Sequence, residues 1–271
     1  MVAFAGAGVA GKVVVVTGGG TGIGAAVTER FRAEGAQVVI VGRRRAPLEA
    51  VAAETGAVPM IADAADASAA RSVVADVLER FGRLDVLVAN AGGHGFAPVG
   101  ETDDIGWETA LRANLTTAFT MARECLPALM EAKGQIVVIS SLAGLFAGPS
   151  VAGYTVGKHA LIGLTKTLAR DYGRSGVRVN AVCPGWVQTP MADNEMDEFA
   201  EHAGLASRED AYATVTGDVP LGRPAQPAEI ASIVRFLGSA ESSYMTGAVL
   251  VADGGAHIVD VPTIAFDHAG M

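Results

Sequence analysis

The sequence predicts an α/β fold, a doubly wound sheet of about seven parallel strands flanked by helices, and three observations carry that prediction. β-branched runs alternate with helical patterns along the whole chain, the first run ends in a glycine-rich turn, and half of the 271 residues are hydrophobic with few aromatics. Strands covered by helices on both faces read as continuous Val- and Ala-rich runs of this kind rather than as alternating ones. Neither an internal repeat nor a linker interrupts the pattern, so residues 1–271 read as one domain large enough to bury a sizeable core.

The first strand is read at 12–17, KVVVVT, and it runs into Thr17-Gly18-Gly19-Gly20-Thr21-Gly22-Ile23-Gly24, followed by a helical pattern at 25–34. A glycine-rich turn between strand and helix lets backbone N–H groups approach a pyrophosphate, whose charge the helix N-terminus also favours. Gly18, Thr21, Gly22, Ile23 and Gly24 are the candidate cradle. The second strand, 37–41, is where a dinucleotide site carries an Asp or Glu for the 2'-hydroxyl of NAD. Here the chain reads Gly42-Arg43-Arg44-Arg45 instead. Guanidinium matches phosphate in geometry and charge, so Arg43 and Arg44 point to the 2'-phosphate of NADP(H), Arg43 foremost. The alternative is a solvated basic turn.

A third strand is read at 57–63 with Asp63 at its end, a helix at 68–81, and a fourth strand at 84–89 that runs into Asn90-Ala91-Gly92-Gly93. Small residues at a strand's C-terminal end leave space for a flat ring beside the backbone. His94 follows this turn and is a candidate substrate contact. Helical patterns cover 104–114 and continue to 133, with Asn114 inside, where an Asn is mildly unfavourable and so has a polar task to explain it.

The fifth strand, 135–140, leads into Ser141 and a helix that carries Tyr154 and Lys158 and runs to about residue 172. Residues four apart share a helix face, so the phenol and the ammonium project side by side. A fixed positive charge favours phenolate and moves tyrosine toward acid and base work near neutrality. A half-buried ring beside a solvated amine is the bland alternative. Ser141, at the strand end, is placed to orient the same substrate oxygen.

A sixth strand at 177–183 ends in Pro184-Gly185-Trp186-Val187-Gln188-Thr189-Pro190, with Trp186 a candidate wall of the substrate site. Residues 190–220 turn acidic and lose the sheet pattern, which reads as short helices on a mobile substrate flap. A helix at 227–239 and a seventh strand at 248–251 restore the pattern before a tail at 256–271 whose histidines lack a metal-ligand spacing.

A formal charge of −9 makes nucleic acid and anionic membrane surfaces unlikely partners. No apolar run approaches the roughly 20 residues that a membrane helix needs. The start, MVAFAGAGVAGK, lacks a basic segment and reads as a flexible lead-in rather than a signal peptide. Cys125 and Cys183 fall inside a helix and a strand, as buried reduced thiols of a cytoplasmic protein do.

The TGGGTGIG turn, Asp63, Asn90-Ala91-Gly92, Asn114, Ser141, Tyr154 with Lys158, Pro184-Gly185 with Thr189, and the closing YMTGAVLVADGG come in one order at suitable separations. Together they closely resemble the short-chain dehydrogenase/reductase family, in its branch of roughly 250 residues, from Gly11 to Gly255. The chain is similar to ketoreductases of the 3-oxoacyl-carrier-protein type. The resemblance implies a Rossmann-type sheet and a catalytic set of Asn114, Ser141, Tyr154 and Lys158. It gives Tyr154 the role of general acid in reduction and base in oxidation, and Lys158 the nicotinamide ribose and a lowering of the tyrosine pKa. Asn114 would bind a water that relays protons to the lysine.

The same resemblance implies cofactor contacts at Gly18, Ile23, Gly24, Asp63, Asn90, Ala91, Gly92, Pro184, Gly185, Val187 and Thr189, and assembly as a homotetramer or homodimer. The function expected is NADPH-dependent reduction of a ketone or 3-oxoacyl substrate to a secondary alcohol. The alternatives are an NAD-linked secondary alcohol dehydrogenase and, outside enzymes, a dinucleotide-sensing regulatory protein. Where the family usually has Ser or Ala before the lysine, this chain has Gly157.

Overall fold

The protein is described by a computed structural model over residues 8–271; the expected lead-in at residues 1–7 lies outside the described part. Seven strands form one sheet: β1 Val13–Thr17, β2 Gln37–Gly42, β3 Val58–Ile61, β4 Val86–Ala89, β5 Gln135–Ile139, β6 Arg178–Pro184 and β7 Val249–Ala252. Their order is β3-β2-β1-β4-β5-β6-β7, and every neighbouring pair is parallel. The winding reverses between β1 and β4, so a crevice opens beyond the C-terminal ends of those two strands.

Successive strand side chains point to opposite faces, and each face carries its own core. Val13 and Val15 pack with Val73 and Val77 of α3 (Ala67–Phe81), Met121 and Leu129 of α5 (Thr117–Ala132), and Leu161 and Leu168 of α6 (Ala152–Tyr172). Val14 and Val16 pack instead with Val27 and Phe31 of α1 (Gly22–Ala33), Leu48 of α2 (Arg45–Thr55), and Ile230 and Val234 of α9 (Pro227–Leu237). All five residues of β1 are buried, which is why a run of valines specifies this strand. At about 1.5–3 kcal/mol per buried aliphatic side chain, a central strand of this kind contributes several kcal/mol.

The end of the sheet away from the crevice is closed by polar groups with defined partners. The Asp85 carboxylate accepts from the Val13 N–H at 2.9 Å and pairs with Arg83 at 2.5 Å. The Arg178 guanidinium donates to the Ser239 and Ser242 carbonyls, each at 2.8 Å.

Three elements differ from the sequence reading. Helix α1 starts at Gly22, inside the glycine turn, because Gly22 takes a φ of +54° that brings the chain directly into the helix. Helix α2 follows the arginines at once and went unread, since it buries only Leu48 and has a weak apolar stripe. The expected continuous helix over 104–133 is broken: α4 (Asp104–Leu111) passes through a π-helical turn, Arg112–Thr116, into α5.

Helices α7 (Pro190–Ala203) and α8 (Arg208–Thr216) occupy the segment read as a flap. They share a small apolar cluster of Ala192, Met196, Ala200, Ala211 and Tyr212. The tail ends in a short helix, α10 (Ile264–His268). His268 Nε2 lies 2.8 Å from Asp218 and His257 Nδ1 lies 2.8 Å from Asp253, so two of the tail's polar groups are engaged by carboxylates. Among the described residues, no helix is long and apolar enough to cross a membrane.

Candidate active site

The crevice between β1 and β4 deepens into a cavity of about 380 Å³. Gly18, Thr21, Gly22 and Ile23 line one part of it, with Arg43, Arg44 and Asp63 farther out. Asn90, Ala91, Gly92, His94, Tyr154, Lys158 and Thr189 line the rest. Sequence reasoning placed all of these in the site, although they come from six separate segments. Ser141 stands beside the Tyr154 hydroxyl, and its Oγ accepts from the Ala143 N–H at 3.1 Å.

The glycine turn is shaped by contacts as much as by conformation. Gly18 has φ +67°, and a Cβ there would meet the Asn90 amide nitrogen at 2.9 Å. A Cβ on Gly24 would overlap the Gly18 carbonyl oxygen. Only the bare backbone leaves the first N–H groups of α1 open toward the cavity, so the turn fits a pyrophosphate. Asn90 holds this arrangement, donating from Nδ2 to the Thr17 carbonyl at 3.0 Å, while its own N–H donates to Thr17 Oγ1 at 3.0 Å.

The three arginines after β2 divide. Arg45 pairs with Glu49 one turn along α2 at 3.1 Å. Arg43 and Arg44 line the cavity and enter no ion pair among the described residues. No carboxylate stands at the end of β2, so this end of the cavity fits a ribose that carries a phosphate. Asp63 is held below the usual carboxylate range despite desolvation, by the Ala65 N–H and the Arg112 guanidinium 2.7 Å away. Arg112, in the π turn, is a cavity residue that sequence reading missed; an isolated arginine in a helical pattern gave no signal.

At the inner end, Lys158 is 3% exposed, and its Nζ donates to the Ile139 carbonyl at 3.0 Å. Burial pulls its pKa down to about 8. Its Nζ lies 5.4 Å from the centre of the Tyr154 ring, and Phe96 packs on the same ring at 5.2 Å between centroids. The expected lowering of the tyrosine pKa by Lys158 is corrected here. Burial dominates and raises Tyr154, the nearby Ser141 hydroxyl opposes it, and the Glu195 charge raises it further. A phenol held in its protonated form suits the acid of a reduction.

The Asn114 side chain is fully buried and held at both ends of its amide. Its Oδ1 accepts from the Gly93 N–H at 2.9 Å, and its Nδ2 donates to the carbonyls of His94 at 2.8 Å and Ala110 at 2.9 Å. Both Nδ2 donors are therefore engaged, while Oδ1 keeps a second acceptor position.

The Pro184-Gly185 segment is placed differently from expectation. Val187 is 5% exposed and belongs to the sheet core, Trp186 is 37% exposed, and Pro184 is buried at the end of β6. None of Pro184, Gly185, Trp186 and Val187 lines the cavity. The reason is the pairing of this stretch with Ala225, whose N–H donates to the Trp186 carbonyl at 2.8 Å and turns the segment along the sheet edge. Thr189 does reach the cavity and caps α7 by accepting from the Ala192 N–H at 3.3 Å.

A model of the family described as enoyl-(acyl carrier protein) reductase matches residues 18–257. The chain belongs to the short-chain dehydrogenase/reductase family. As a member, it is an oxidoreductase that acts on CH–OH and C=O groups. It is 48% identical to the protein MoaE of Klebsiella aerogenes, over 94% of this chain and 99% of that one. It is 40% identical to L-fucose dehydrogenase of Bos taurus, over 92% of this chain and 90% of that one. The solved structure of actinorhodin polyketide ketoreductase with NADPH superposes with a TM-score of 0.85 at 34% identity, covering 90% of this chain and 96% of that one.

The departure at Gly157 has a packing reason in this member of the family. A Cβ on Gly157 would stand 2.8 Å from the Cβ of Asn114 in the π turn. Alanine gains about 1 kcal/mol of helix propensity, but forced contact in a packed interior costs about 1–3 kcal/mol. Gly157→Ala is therefore expected to lower the melting temperature and to reduce turnover by shifting Asn114. Calorimetry and steady-state kinetics on the variant check this, and a raised melting temperature with normal turnover would show that α6 has room.

Proposed function

We propose that the protein is an NADPH-dependent reductase that converts a ketone or 3-oxoacyl substrate to a secondary alcohol, reversibly, with Tyr154 as the general acid. One observation carries the reading: a single cavity has unpaired Arg43 and Arg44 at one end and the Tyr154 phenol with Lys158 at the other. The NADPH-bound ketoreductase neighbour supports the cofactor choice. The glycine turn would hold the pyrophosphate, Arg43 and Arg44 the 2'-phosphate, Asp63 the adenine, Lys158 the nicotinamide ribose and Thr189 the carboxamide. When bound, the nicotinamide supplies hydride transfer to the carbonyl carbon.

The protein's own part is proton transfer and positioning. As negative charge grows on the carbonyl oxygen, the Ser141 hydroxyl stabilises it and Tyr154 gives up its proton to form the alcohol. Lys158, with a pKa near 8, is the next proton carrier in line. Asn114 acts as a positioning residue by pinning Gly93 and His94 beside the lysine. Oxidation of a secondary alcohol uses the same groups in reverse, a second reading favoured by the L-fucose dehydrogenase relative.

The protein is further read as a cytoplasmic homotetramer or homodimer built from one domain. This is supported by the buried free thiols of Cys125 and Cys183 and by exposed Trp107, Phe119, Phe146 and Val156 on and beside α4, α5 and α6. The test is the loss of reduced-nicotinamide absorbance with NADPH and NADH in parallel, against diketones, cyclic ketones, quinones and an acetoacetyl thioester. Turnover with NADPH at least about tenfold better than with NADH is expected from one to two charge-assisted hydrogen bonds. Preference for NADH overturns the cofactor assignment, and absence of turnover with every carbonyl overturns the reductase reading.

A further inference from the structure

Asp63 and Arg112 reach the same end of the cavity from different parts of the chain. Asp63 follows β3, and Arg112 sits in the π turn between α4 and α5, where Thr109, Arg112 and Ala113 turn one helix face to the cavity. Arg112 Nη2 donates to Asp63 Oδ2 at 2.7 Å, and the Ala65 N–H donates to Asp63 Oδ1 at 2.9 Å. One bond comes from the carboxylate's own turn and the other from a residue 49 positions away, so the two together fix the plane of the carboxylate.

Neither group is exhausted by this pairing. Each carboxylate oxygen has two acceptor positions, and Asp63 fills one on each. A guanidinium has five N–H donors, and Arg112 uses one, with no other side-chain bond among the described residues. As a staple the pair is weak, because its side chains are 52% and 34% exposed. It does present an acceptor and a donor side by side, and both residues line the cavity. Adenine carries the complement along one edge, a 6-amino donor beside an acceptor ring nitrogen. A 6-oxo purine puts an acceptor where the amino group stood.

The groups around Asp63 keep it ionised. Arg43 acts on it from the turn after β2, Arg44 lines the same end of the cavity, and Asp66 on its own turn accepts from the Ala69 N–H at 2.8 Å. Burial works against ionisation, and the Ala65 N–H, the Arg112 guanidinium and the Arg43 charge outweigh it.

We propose that Asp63 and Arg112 together read the purine of the cofactor: Asp63 accepts from the 6-amino group, and a spare N–H of Arg112 donates to the neighbouring ring nitrogen. Arg112 is then a cofactor-binding residue and also the positioning residue for Asp63. The inference rests on the reading that Asp63 meets the adenine. It adds that the pair, rather than the carboxylate alone, selects a 6-amino purine over a 6-oxo purine. A carboxylate without its clamp is free to turn and to take up a proton, and a protonated acid can donate to a 6-oxo oxygen, so the choice between the two purines is lost.

The experiment measures dissociation constants by isothermal titration calorimetry, without substrate, for NADP+ and for its hypoxanthine analogue, which has a 6-oxo group in place of the 6-amino group. The wild type is expected to bind NADP+ about tenfold or more tighter than the analogue, the worth of one hydrogen bond to a charged group. In Arg112→Ala, NADP+ binding weakens by about tenfold and the preference falls to within about threefold. Arg112→Lys returns a charge to Asp63 without the planar fork, so the preference recovers part-way. From about pH 8 to about pH 5 the wild-type preference holds, because Asp63 is kept below the usual carboxylate range. In Arg112→Ala it shrinks further toward about pH 5, because burial is opposed by one guanidinium fewer and the carboxyl takes up its proton at higher pH.

A wild type that binds neither dinucleotide removes the dinucleotide reading, and one that binds both equally removes the adenine from Asp63; either result overturns the proposal at its base. A wild type that discriminates while Arg112→Ala keeps the same preference leaves Asp63 in place and overturns the role of Arg112. An equal loss on both dinucleotides does the same, since a staple that only shapes the pocket weakens them alike. Circular dichroism checks that Arg112→Ala is folded, and Arg112→Gln, which keeps the stem and removes the charge, gives the same comparison by a second route.

Discussion

Tyr154→Phe is expected to lower kcat by about 10²- to 10⁴-fold, the usual contribution of a positioned general acid, while the dissociation constant for NADPH changes little. The substitution removes one hydroxyl and leaves the ring, so the packing against Phe96 at 5.2 Å and beneath the Lys158 ammonium persists. The lost hydroxyl makes no hydrogen bond that holds the fold together, so the variant stays folded. Steady-state kinetics with the best carbonyl, beside fluorescence titration of NADPH, separates chemistry from binding. A variant that keeps a tenth of wild-type kcat would remove Tyr154 from the role of general acid.

Arg43→Ala with Arg44→Ala is expected to lower kcat/KM for NADPH by about 100-fold and to leave NADH within about threefold, because each charge-assisted hydrogen bond to phosphate is worth about 1.5–3 kcal/mol. Both side chains are exposed, so the effect lies toward the lower end and weakens with added salt. Arg43 alone carries the larger share, since its charge also reaches Asp63 across the cavity. Arg45→Ala is the internal comparison: its guanidinium is spent on Glu49, so cofactor preference stays as it was. A parallel fall with NADPH and NADH would mean that the arginines shape the turn and do not read the phosphate.

The parts of the protein that were legible in sequence are those written in neighbouring residues. A valine run, a glycine spacing and a Tyr-x-x-x-Lys step each act within one or two turns of chain, so β1, the cradle before α1 and the Tyr154/Lys158 face could be placed before any contact was known. Asn114 was visible as a misfit in a helical pattern, though its work was not. The π turn and the bonds to Gly93, His94 and Ala110 depend on where a loop more than fifteen residues upstream comes to rest. Trp186 shows the same limit from the other side. Its position after Pro184-Gly185 suggested the substrate wall, and the pairing with Ala225 carried it away from the cavity.

By itself, then, the sequence determined the alternation of strands and helices and which end of the strands would hold the chemistry. Local periodicity and backbone freedom are sufficient physics for those. Only the tertiary structure decided the electrostatics: that burial keeps Tyr154 protonated and draws Lys158 to about 8, and that Arg112 is paired with Asp63. Those outcomes depend on how far water is excluded and on which charges come near one another across α4, α6, α7 and the sheet, and neither quantity is set until the chain has packed.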